Sequence, residues 1–430
     1  MSALFQRAAL IIDQITPDHP ADSVLRRALG ELRHLSPAER RDISHAVFSY
    51  HRWLRWVEES GPRTAQVAAA LELQRRFDAD PASIKIEALA ARAVPDWVLD
   101  AIDFPDAPPA PANAGVSARA AWLRSLQTPA PLWLRVQREF ADKLPRALGH
   151  CEPQPPVPSA SPPSSANLAS FYSALRAPTA FRYTGPKDLY RTDEFKQGLF
   201  EIQDLASQLV GHACNPQPGE TWWDTCCGEG GKTLHLSDLM DNRGLIWATD
   251  RHTGRLATLR KRAARAHAYN YRAVTWNGGP FLPTKTKFDG ILIDAPCSGT
   301  GTWQRNPHAR WTTTQDDVSE LAEIQLQLLN HASPALKPGG RLIYAVCTLT
   351  RAETTAIANA FTAARTADFE PVALPFFSNA ENSGEPGGAR SGKTDTAHAT
   401  SSATAPSQLT LWPHEHNANG MFIAAWRRRG

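Results

Sequence analysis

Two cysteines that each follow a short apolar stretch are the residues of this chain best suited to covalent chemistry. Ile291-Leu292-Ile293 leads into Asp294 and then Cys297, and Leu342 to Val346 leads into Cys347, 50 residues further on. Apolar runs of this length are typical of buried strands, and an open parallel sheet binds its ligands at the carboxyl ends of its strands. We therefore expect both thiols and the carboxylate to face one pocket.

Two thiols beside a carboxylic acid suit substitution at an unreactive pyrimidine carbon. A thiolate adds covalently to an electron-poor carbon, and a nearby acid can protonate the ring that is attacked. Addition at C6 makes C5 nucleophilic enough to take a methyl group, after which a base must remove the C5 proton. Cys347, Cys297 and Asp294 suffice for these three roles. The alternative is that the three residues lie at strand ends by chance and have no common function.

A glycine-rich segment forms a second candidate site. Residues 224–233 read Asp-Thr-Cys-Cys-Gly-Glu-Gly-Gly-Lys-Thr, between a predicted strand and a predicted helix. A phosphate-binding P-loop needs a glycine five positions before Gly231, where this chain has Cys226, so that interpretation fails. Asp250 lies 26 positions after Asp224, near the spacing of roughly 20 expected of a ribose-binding carboxylate. The segment predicts a nucleoside cofactor at a helix N-terminus, although such a turn can also be purely structural.

The elements around these motifs predict a doubly wound α/β domain, since strand and helix patterns alternate from Gly219 onward. Strands are predicted at Thr221–Asp224, Leu245–Thr249, Ala273–Trp276, Ile291–Ile293, Leu342–Val346 and Met421–Trp426. Helices are predicted at Ile202–Val210, Lys232–Met240, Arg255–Ala266, Val318–Leu336 and Arg351–Ala364. The last helix would begin with a capping box formed by Thr350 and Glu353.

The first 60 residues predict a helical bundle. Two helices are expected at Leu4–Ile15 and Val24–Leu35, and a third starts at the capping box Ser36-Pro37-Ala38-Glu39. Apolar residues at helical spacing continue from Ile43 to Val57. The opposite face, either solvated or in contact with RNA, carries Arg40, Arg41, His45, His51, Arg52 and Arg55.

Composition excludes several classes of protein. The chain has 430 residues, enough for two or three domains, and its net charge of +3 permits nucleic acid as a partner without requiring it. None of its six cysteines forms a C-x-x-C pair, so we expect no structural zinc and no other metal site. No apolar run approaches the roughly 20 residues that span a bilayer, and no secretory signal is recognisable. We expect a cytoplasmic monomer without membrane contact.

Four segments resemble successive signature motifs of the RsmB/Sun (NSUN-type) RNA (cytosine-5)-methyltransferases. They are residues 195–204, 224–233, 294–301 and 344–348, which together span most of residues 130–430. The N-terminal bundle is similar to the NusB-like RNA-binding domain of the RsmB branch, and Trp412-Pro413 with residues 419–422 resembles the C-terminal strand motif. The combination of both cysteine motifs in this order is highly specific.

This resemblance implies a class I (Rossmann-like) S-adenosylmethionine methyltransferase domain with an N-terminal helical bundle. The implied domains are a NusB-like RNA-binding bundle at 1–104, a small α/β module at 116–204 and the catalytic domain at 205–430. A Pro/Ser-rich linker at 151–165 and a disordered insertion at 379–407 complete the prediction. The implied substrate is RNA, ribosomal RNA first and transfer RNA as the alternative. A further alternative is an RNA-binding or assembly factor that keeps the fold but has lost activity.

The resemblance also implies roles for single residues. Cys347 would be the nucleophile that adds to cytosine C6, and Cys297 the second thiol, which assists release of the product. Asp294 would contact the base, and Lys232 would lie between cofactor loop and active site. The residues implied to bind S-adenosyl-L-methionine are Cys226, Cys227, Gly228, Glu229, Gly230, Gly231, Lys232, Asp250, Asn277 and Asp294.

Two of these positions depart from the family pattern. Gly228-Glu229 stands where Ala-Pro is typical, which places an additional carboxylate in the cofactor loop. Asn277 stands where the family has an acidic residue near the adenine, and an amide can still pair with the adenine amine.

Overall fold

The computed structural model describes residues 3–32, 34–59, 61–105, 117–153, 179–377 and 406–430. The predicted linker at 151–165 and insertion at 379–407 lie outside these residues except at their ends. Residues Cys151–Pro153 form a strand. Within the part of the chain that is described, no helix combines the length and the apolar character needed to cross a membrane.

The N-terminal region is a bundle of helices around a shared apolar core. The helices are α1 Ala3–Ile12, α2 Ala21–Glu31, α3 Pro37–Arg52, α4 Leu54–Val57, α5 Arg63–Ala79, α6 Ile86–Arg92, α7 Val98–Ala101 and α8 Ala118–Ser125. The predicted capping box at the start of α3 is confirmed, because the Ser36 side chain accepts from the Glu39 amide and the Glu39 carboxylate accepts from the Ser36 amide. α8 packs into the core of the bundle through Trp122 and Leu123. The domain boundaries stay a prediction.

The basic face predicted on α3 is not a continuous exposed surface. His51 and Arg52 are buried, and burial lowers the pKa of His51 to about 3 and that of Arg52 to about 10. The Arg40 guanidinium donates to three backbone carbonyls at and after the end of α2. Arg55 is half-buried and donates to the backbone carbonyls of Ala91, in the last turn of α6, and Val94, just after it. The prediction of an exposed face was wrong for His51 and Arg52, because neighbouring segments cover them, whereas Arg40 and Arg55 are partly exposed. The members that stay exposed are Arg41 and His45.

A small antiparallel sheet lies in the chain between the bundle and residues 205–430, which are predicted to be catalytic and are called the catalytic region below. Its strands are β1 Leu132–Val136, β2 Cys151–Pro153, β3 Ala180–Tyr183 and β4 Phe200–Ile202, in the order β2-β3-β1-β4. The short helices α9 Leu144–Leu148 and α10 Asp193–Lys196 accompany it. The helix predicted from Ile202 begins at Leu205, because Ile202 pairs with Leu134 in the sheet and Asp204 caps the helix by accepting from the Ala206 amide.

The catalytic region is a twisted sheet covered by helices. Its strands are β5 Thr221–Asp224, β6 Leu245–Asp250, β7 Tyr271–Thr275, β8 Phe288–Asp294, β9 Leu336–Val346, β10 Phe369–Pro371, β11 Gln408–Leu411 and β12 Met421–Arg428. The strand order is β10-β12-β9-β8-β5-β6-β7, with β11 also paired to β12. Strands β5 to β9 run parallel, whereas β12 runs antiparallel to β9. The predicted doubly wound α/β fold is confirmed.

The remaining helices cover this sheet. They are α11 Leu205–Cys214, α12 Gly231–Leu239, α13 Thr253–Arg265, α14 Gln315–Ala332, α15 Thr355–Ala364 and α16 Pro413–His416. The helix predicted as Val318–Leu336 ends at Ala332, because a 3₁₀ turn at Ser333–Ala335 follows and Leu336 already belongs to β9. The helix predicted from Arg351 begins at Thr355, after a 3₁₀ turn at Arg351–Glu353.

A turn that follows the first cysteine loop docks the catalytic region onto the bundle. It contains the 3₁₀ segment Pro307–Trp311. Trp303 lies in the hydrophobic core of the bundle, and the indole N–H of Trp311 donates to the carbonyl of His51 at 2.7 Å. The fully buried Arg310 guanidinium donates to the carbonyls of Ala93, Leu126 and Trp303. One side chain thus satisfies backbone groups of both regions.

Replacing Arg310 tests this docking. In Arg310→Met the three carbonyls stay buried and lose their donor, and an unsatisfied buried acceptor costs about 1–3 kcal/mol. We expect the free energy of unfolding, measured by urea denaturation, to fall by roughly 3 kcal/mol. The control Arg146→Met, at an exposed position of α9, should change it by less than about 0.5 kcal/mol. Equal stability of the two variants would contradict a bridging role.

Candidate active site

The ends of β8 and β9 bring the two predicted thiols into contact. The strands pair in parallel with Asp294 opposite Ala345, and the Ala295 amide continues the pairing by donating to the Ala345 carbonyl at 3.0 Å. Beyond this point the Cys297 and Cys347 sulfur atoms are 3.3 Å apart. Both side chains are partly exposed. The expectation that the two strand ends bring the thiols together is confirmed, whereas a pocket that they share stays a prediction.

The two thiols differ in acidity. A hydrogen bond joins the two sulfurs, and Cys297 is its donor when Cys347 is ionised. This bond lowers the pKa of Cys347 and raises that of Cys297 well above its ordinary value. Burial acts against ionisation of both thiols. The Lys232 ammonium favours the Cys347 thiolate, whereas the Asp294 carboxylate opposes it. The directions of these shifts favour the thiolate form on Cys347 over that on Cys297.

Lys232 and Asp294 form an ion pair close to the thiols. Lys232 is the second residue of α12, and its Nζ lies 2.7 Å from Asp294 Oδ2. The side chains are 10% and 28% exposed, so the pair is sheltered but accessible. Burial disfavours the ammonium, but the adjacent carboxylate outweighs it, and the pKa of Lys232 is raised. The predicted neighbourhood of thiols, acid and lysine is thus present.

Close backbone contacts hold the cysteine loops together. The Gly301 amide donates to the Cys347 carbonyl at 3.1 Å, and the Gly420 amide donates to the Gly301 carbonyl at 2.7 Å. A Cβ at Gly301 would lie 2.3 Å from the Gly420 oxygen, so this approach requires glycine. The buried Asp204 carboxylate extends the contact by accepting from the Asn419 amide at 3.0 Å.

A fully buried carboxylate lies behind the thiols. Glu353 Oε1 accepts from the Ser298 amide at 2.8 Å and from Gln325 Nε2 at 3.0 Å. Its Oε2 accepts from the Ser298 hydroxyl, from Thr348 at 2.9 Å and from Thr350 at 2.8 Å. The predicted capping box was wrong, because the carboxylate binds these hydroxyls instead of the Thr350 backbone amide.

The glycine-rich loop connects β5, the neighbour of β8, to α12. Gly228 and Gly230 have φ angles of 55° and 87°, which favour glycine. A Cβ at Gly230 would lie 2.1 Å from a Leu259 methyl carbon. Cys227 is buried against α13, and burial raises the pKa of its thiol. Its side chain therefore serves as a small hydrophobic group in the core.

The other predicted loop residues are more accessible. Cys226 is partly exposed, and burial raises the pKa of its thiol to about 12. Glu229 is exposed. Gly231 starts α12, and its carbonyl lies 3.4 Å from the Gln203 side-chain amide that donates to it. The backbone amides at this helix start are the groups that can bind an anionic ligand.

Two further predicted residues stand at neighbouring strand ends. Asp250, the last residue of β6, is 6% exposed and accepts from the amides of Gly228 at 3.1 Å and His252 at 2.8 Å. A surface cavity of about 490 Å³ follows it, lined by residues 251–255. Asn277, after β7, is exposed and accepts from the Gly279 amide at 3.0 Å. The two residues frame the same edge of the sheet as the glycine loop.

Sequence reasoning missed several polar residues of this site. Glu353 was read as a helix cap, and its partners come from three other segments of the chain. Asp224 served only as a landmark, yet burial raises its pKa to about 7 and the Thr233 hydroxyl donates to it at 2.6 Å. The only signal for Asp224 was its place at a strand end. Among the described residues, no cluster of side chains suits a metal ion.

The architecture and these motifs have counterparts among known proteins. A ribosomal RNA small subunit methyltransferase B, named as probable, from Synechocystis is 35% identical over 234 residues, 54% of this chain and 48% of that protein. Mouse tRNA (cytosine(72)-C(5))-methyltransferase NSUN6 is 36% identical over 167 residues, 35% of this chain and 34% of that protein. The chain thus spans about half the length of the first relative and a third of the second.

The fold as a whole and the catalytic region match at different levels. The crystal structure of PH0851 aligns with a TM-score of 0.70 over 99% of this chain and 97% of that one, at 20% identity, which shows a common fold. Residues 212–427, half of the chain, match the family described as 16S rRNA methyltransferase RsmB/F. These residues include both cysteine loops, Lys232 and the glycine-rich turn. The chain is therefore a member of the RsmB/F methyltransferase family.

Proposed function

We propose that this protein transfers a methyl group from S-adenosyl-L-methionine to C5 of a cytosine in RNA, through a covalent adduct on Cys347. The observation that carries the proposal is the thiol pair, 3.3 Å apart and beside the Lys232–Asp294 ion pair. The lowered pKa of Cys347 supports this residue as the nucleophile. Membership of the RsmB/F family supports the reaction class.

In this reaction the Cys347 thiolate forms a bond to C6, and the electrons of the C5–C6 double bond move toward N3 and C5. Asp294 is partly exposed and within reach of the ring, where it contacts N3 and the exocyclic amine. Lys232 holds Asp294 in place through their ion pair. After methylation a base removes the C5 proton, and the S–C6 bond breaks. Cys297, the neighbouring thiol, assists this release.

The residues at the strand ends fit S-adenosyl-L-methionine, which when bound supplies the methyl group. A Cβ at Gly228 would meet no atom within 4 Å, so the loop backbone is open to a ligand. Asp250 is placed for ribose hydroxyls, and Asn277 for the adenine amine. The start of α12 offers amides to a carboxylate. Cys226, Glu229, Gly230 and Gly231 belong to the same turn, whereas the Cys227 side chain faces the core and contributes through its backbone.

The RNA is proposed to be ribosomal. The matching family is described by its 16S rRNA substrate, and the Synechocystis relative is named for the small ribosomal subunit. The name of the mouse relative makes transfer RNA the second candidate. Bisulfite sequencing of total RNA from cells with and without the gene would identify the cytosine that loses its protection. The cytoplasmic location and the monomeric state stay predictions.

The alternative to this proposal is a protein that keeps the fold and binds RNA but has no catalytic activity. The exposed carboxylate of Glu229 in the cofactor loop is the feature that favours it, since it can repel the carboxylate of the cofactor. Isothermal titration calorimetry with S-adenosyl-L-methionine separates the two. We expect measurable binding, and the absence of heat at saturating concentrations would favour the inert protein.

Cys347→Ala should abolish methyl transfer while leaving the cofactor bound. Loss of the attacking sulfur removes the covalent step, so incorporation of tritiated methyl into RNA should fall more than about a thousandfold. Calorimetry should give an affinity for S-adenosyl-L-methionine within about twofold of the unaltered protein, because the Cys347 sulfur bonds to Cys297 and not to the glycine loop. The matched control is Cys151→Ala in the small sheet, which should retain activity. Turnover retained in Cys347→Ala would remove Cys347 as the nucleophile.

Cys297→Ala, with Cys347 intact, should trap the adduct. Without the second thiol, release of the methylated base slows while addition continues. Incubation with RNA and S-adenosyl-L-methionine should give a slower-migrating protein–RNA band on a denaturing gel. The same band should be missing from the double variant Cys297→Ala/Cys347→Ala. If Cys297→Ala alone gives only free protein, its role in release is wrong.

A further inference from the structure

Glu353 holds the residue that follows each catalytic thiol. Ser298 follows Cys297 and donates to both carboxylate oxygens, whereas Thr348 follows Cys347 and donates to one of them. The two loops come from strand ends 50 residues apart in the chain, and this carboxylate is a ligand common to both. We propose that Glu353 is a positioning residue that sets the distance and the hydrogen bond between the two thiols. This inference rests on the proposed function, because it concerns the thiols assigned there.

The donor set requires a group that only accepts. Glu353 lies within hydrogen-bonding distance of one backbone N–H, one side-chain amide N–H and three hydroxyls. An ionised carboxylate offers about four lone-pair sites on two oxygens, so these five donors are enough to fill all of them. Burying such a charge is costly unless hydrogen bonds compensate, and bonds to a carboxylate are about twice as strong as neutral ones. A glutamine at this position would replace one carboxylate oxygen with an NH2 group. That group is a donor and cannot accept the hydrogen bonds that the oxygen accepts.

The carboxylate is itself fixed by the scaffold. Gln325 of α14 donates to Glu353 and, at 2.9 Å, to the Pro296 carbonyl. The Tyr344 hydroxyl of β9 lies 2.6 Å from the Glu353 carbonyl oxygen and 2.9 Å from Gln325 Oε1. Strand, helix and turn therefore hold Glu353 in one place. Because Glu353 is fixed in this way, its hydrogen bonds can fix the positions of the two cysteine loops relative to the sheet.

The charge of Glu353 and its hydrogen bonds act on Cys347 in opposite directions. As a negative charge, Glu353 raises the pKa of Cys347, as Asp294 does, whereas Lys232 lowers it. The bond from Cys297 lowers it most. If Glu353 acted through its charge alone, removing the charge would lower the pKa. If it positions the loops, its removal weakens the bond between the thiols and the pKa rises.

The test is the pH dependence of alkylation of Cys347 by iodoacetamide, read by mass spectrometry without RNA. In Glu353→Gln the midpoint should move to higher pH, and kcat for methyl transfer should fall by about 100-fold, as expected when a reacting group is misplaced by about 1 Å. KM for S-adenosyl-L-methionine should stay within about threefold, because the hydrogen bonds of the Glu353 carboxylate go to residues outside the cofactor loop. The control Glu320→Gln, at an exposed site on α14, should leave all three values unchanged.

The direction in which the alkylation midpoint of Cys347 moves in Glu353→Gln tests the positioning role. A midpoint that moves to lower pH, or does not move, overturns the positioning role. If Glu353→Gln does not fold, Ser298→Ala and Thr348→Val can replace it, because each removes one hydroxyl hydrogen bond to Glu353. Both variants should raise the alkylation midpoint of Cys347, by a smaller amount. If neither variant raises it, the proposal is overturned. The two proposals can fail separately. If the alkylation midpoint rises in Glu353→Gln but the unaltered protein transfers no methyl group, the positioning role is supported and the proposed function is rejected.

Discussion

The site depends on the register of two parallel strands. β8 and β9 pair so that Asp294 lies opposite Ala345, and each strand then leads its cysteine out of the sheet. Neither strand is an edge, since β5 lies beside β8 and β12 lies beside β9. A slip of one residue would displace a sulfur by about 3.3 Å, as much as the present separation of the thiols, and would exchange the two faces of the strand.

Hydrophobic packing on both faces of the sheet prevents that slip. Ile291 and Ile293 lie in one buried cluster, whereas Leu292 lies in another on the opposite side. On β9, Leu342 and Tyr344 alternate in the same way with Ile343. Because both faces are covered, any change of register would exchange side chains between two cores of different shape. The distance between two reactive atoms is therefore set by apolar contacts that take no part in the chemistry.

Local patterns were sufficient for the strands and their ends. The apolar runs before Asp294 and Cys347 and the glycines after Asp224 predicted where the chain leaves the sheet, because those features act over a few residues. Residues 200–202 were read as the approach to a helix, but pairing with β1 makes them a strand. Here a tertiary contact overrode a weak local preference.

The polar residues behind the site were not predictable in this way. The partners of Glu353 lie 3 to 55 residues away, in three other segments of the chain. Arg52 and His51 carried the pattern of an exposed basic face, yet the segment that contains Trp311 covers that part of α3 from about 260 residues away. Burial of a polar side chain is decided by which distant segment packs over it, and no spacing in the chain records that.

Two chemically identical thiols so close together must be made unequal by their surroundings. A single proton can be shared along a sulfur–sulfur contact, and the groups around it decide which sulfur holds it. Lys232 favours the charge on Cys347, and the buried Glu353 disfavours a thiolate on either cysteine. Lys232, at the start of α12, reaches Asp294 at the end of β8, and from there its positive charge acts on Cys347. The order of the strands therefore brings a cation close to Cys347, and in the proposed reaction this favours Cys347 over Cys297 as the attacking thiol.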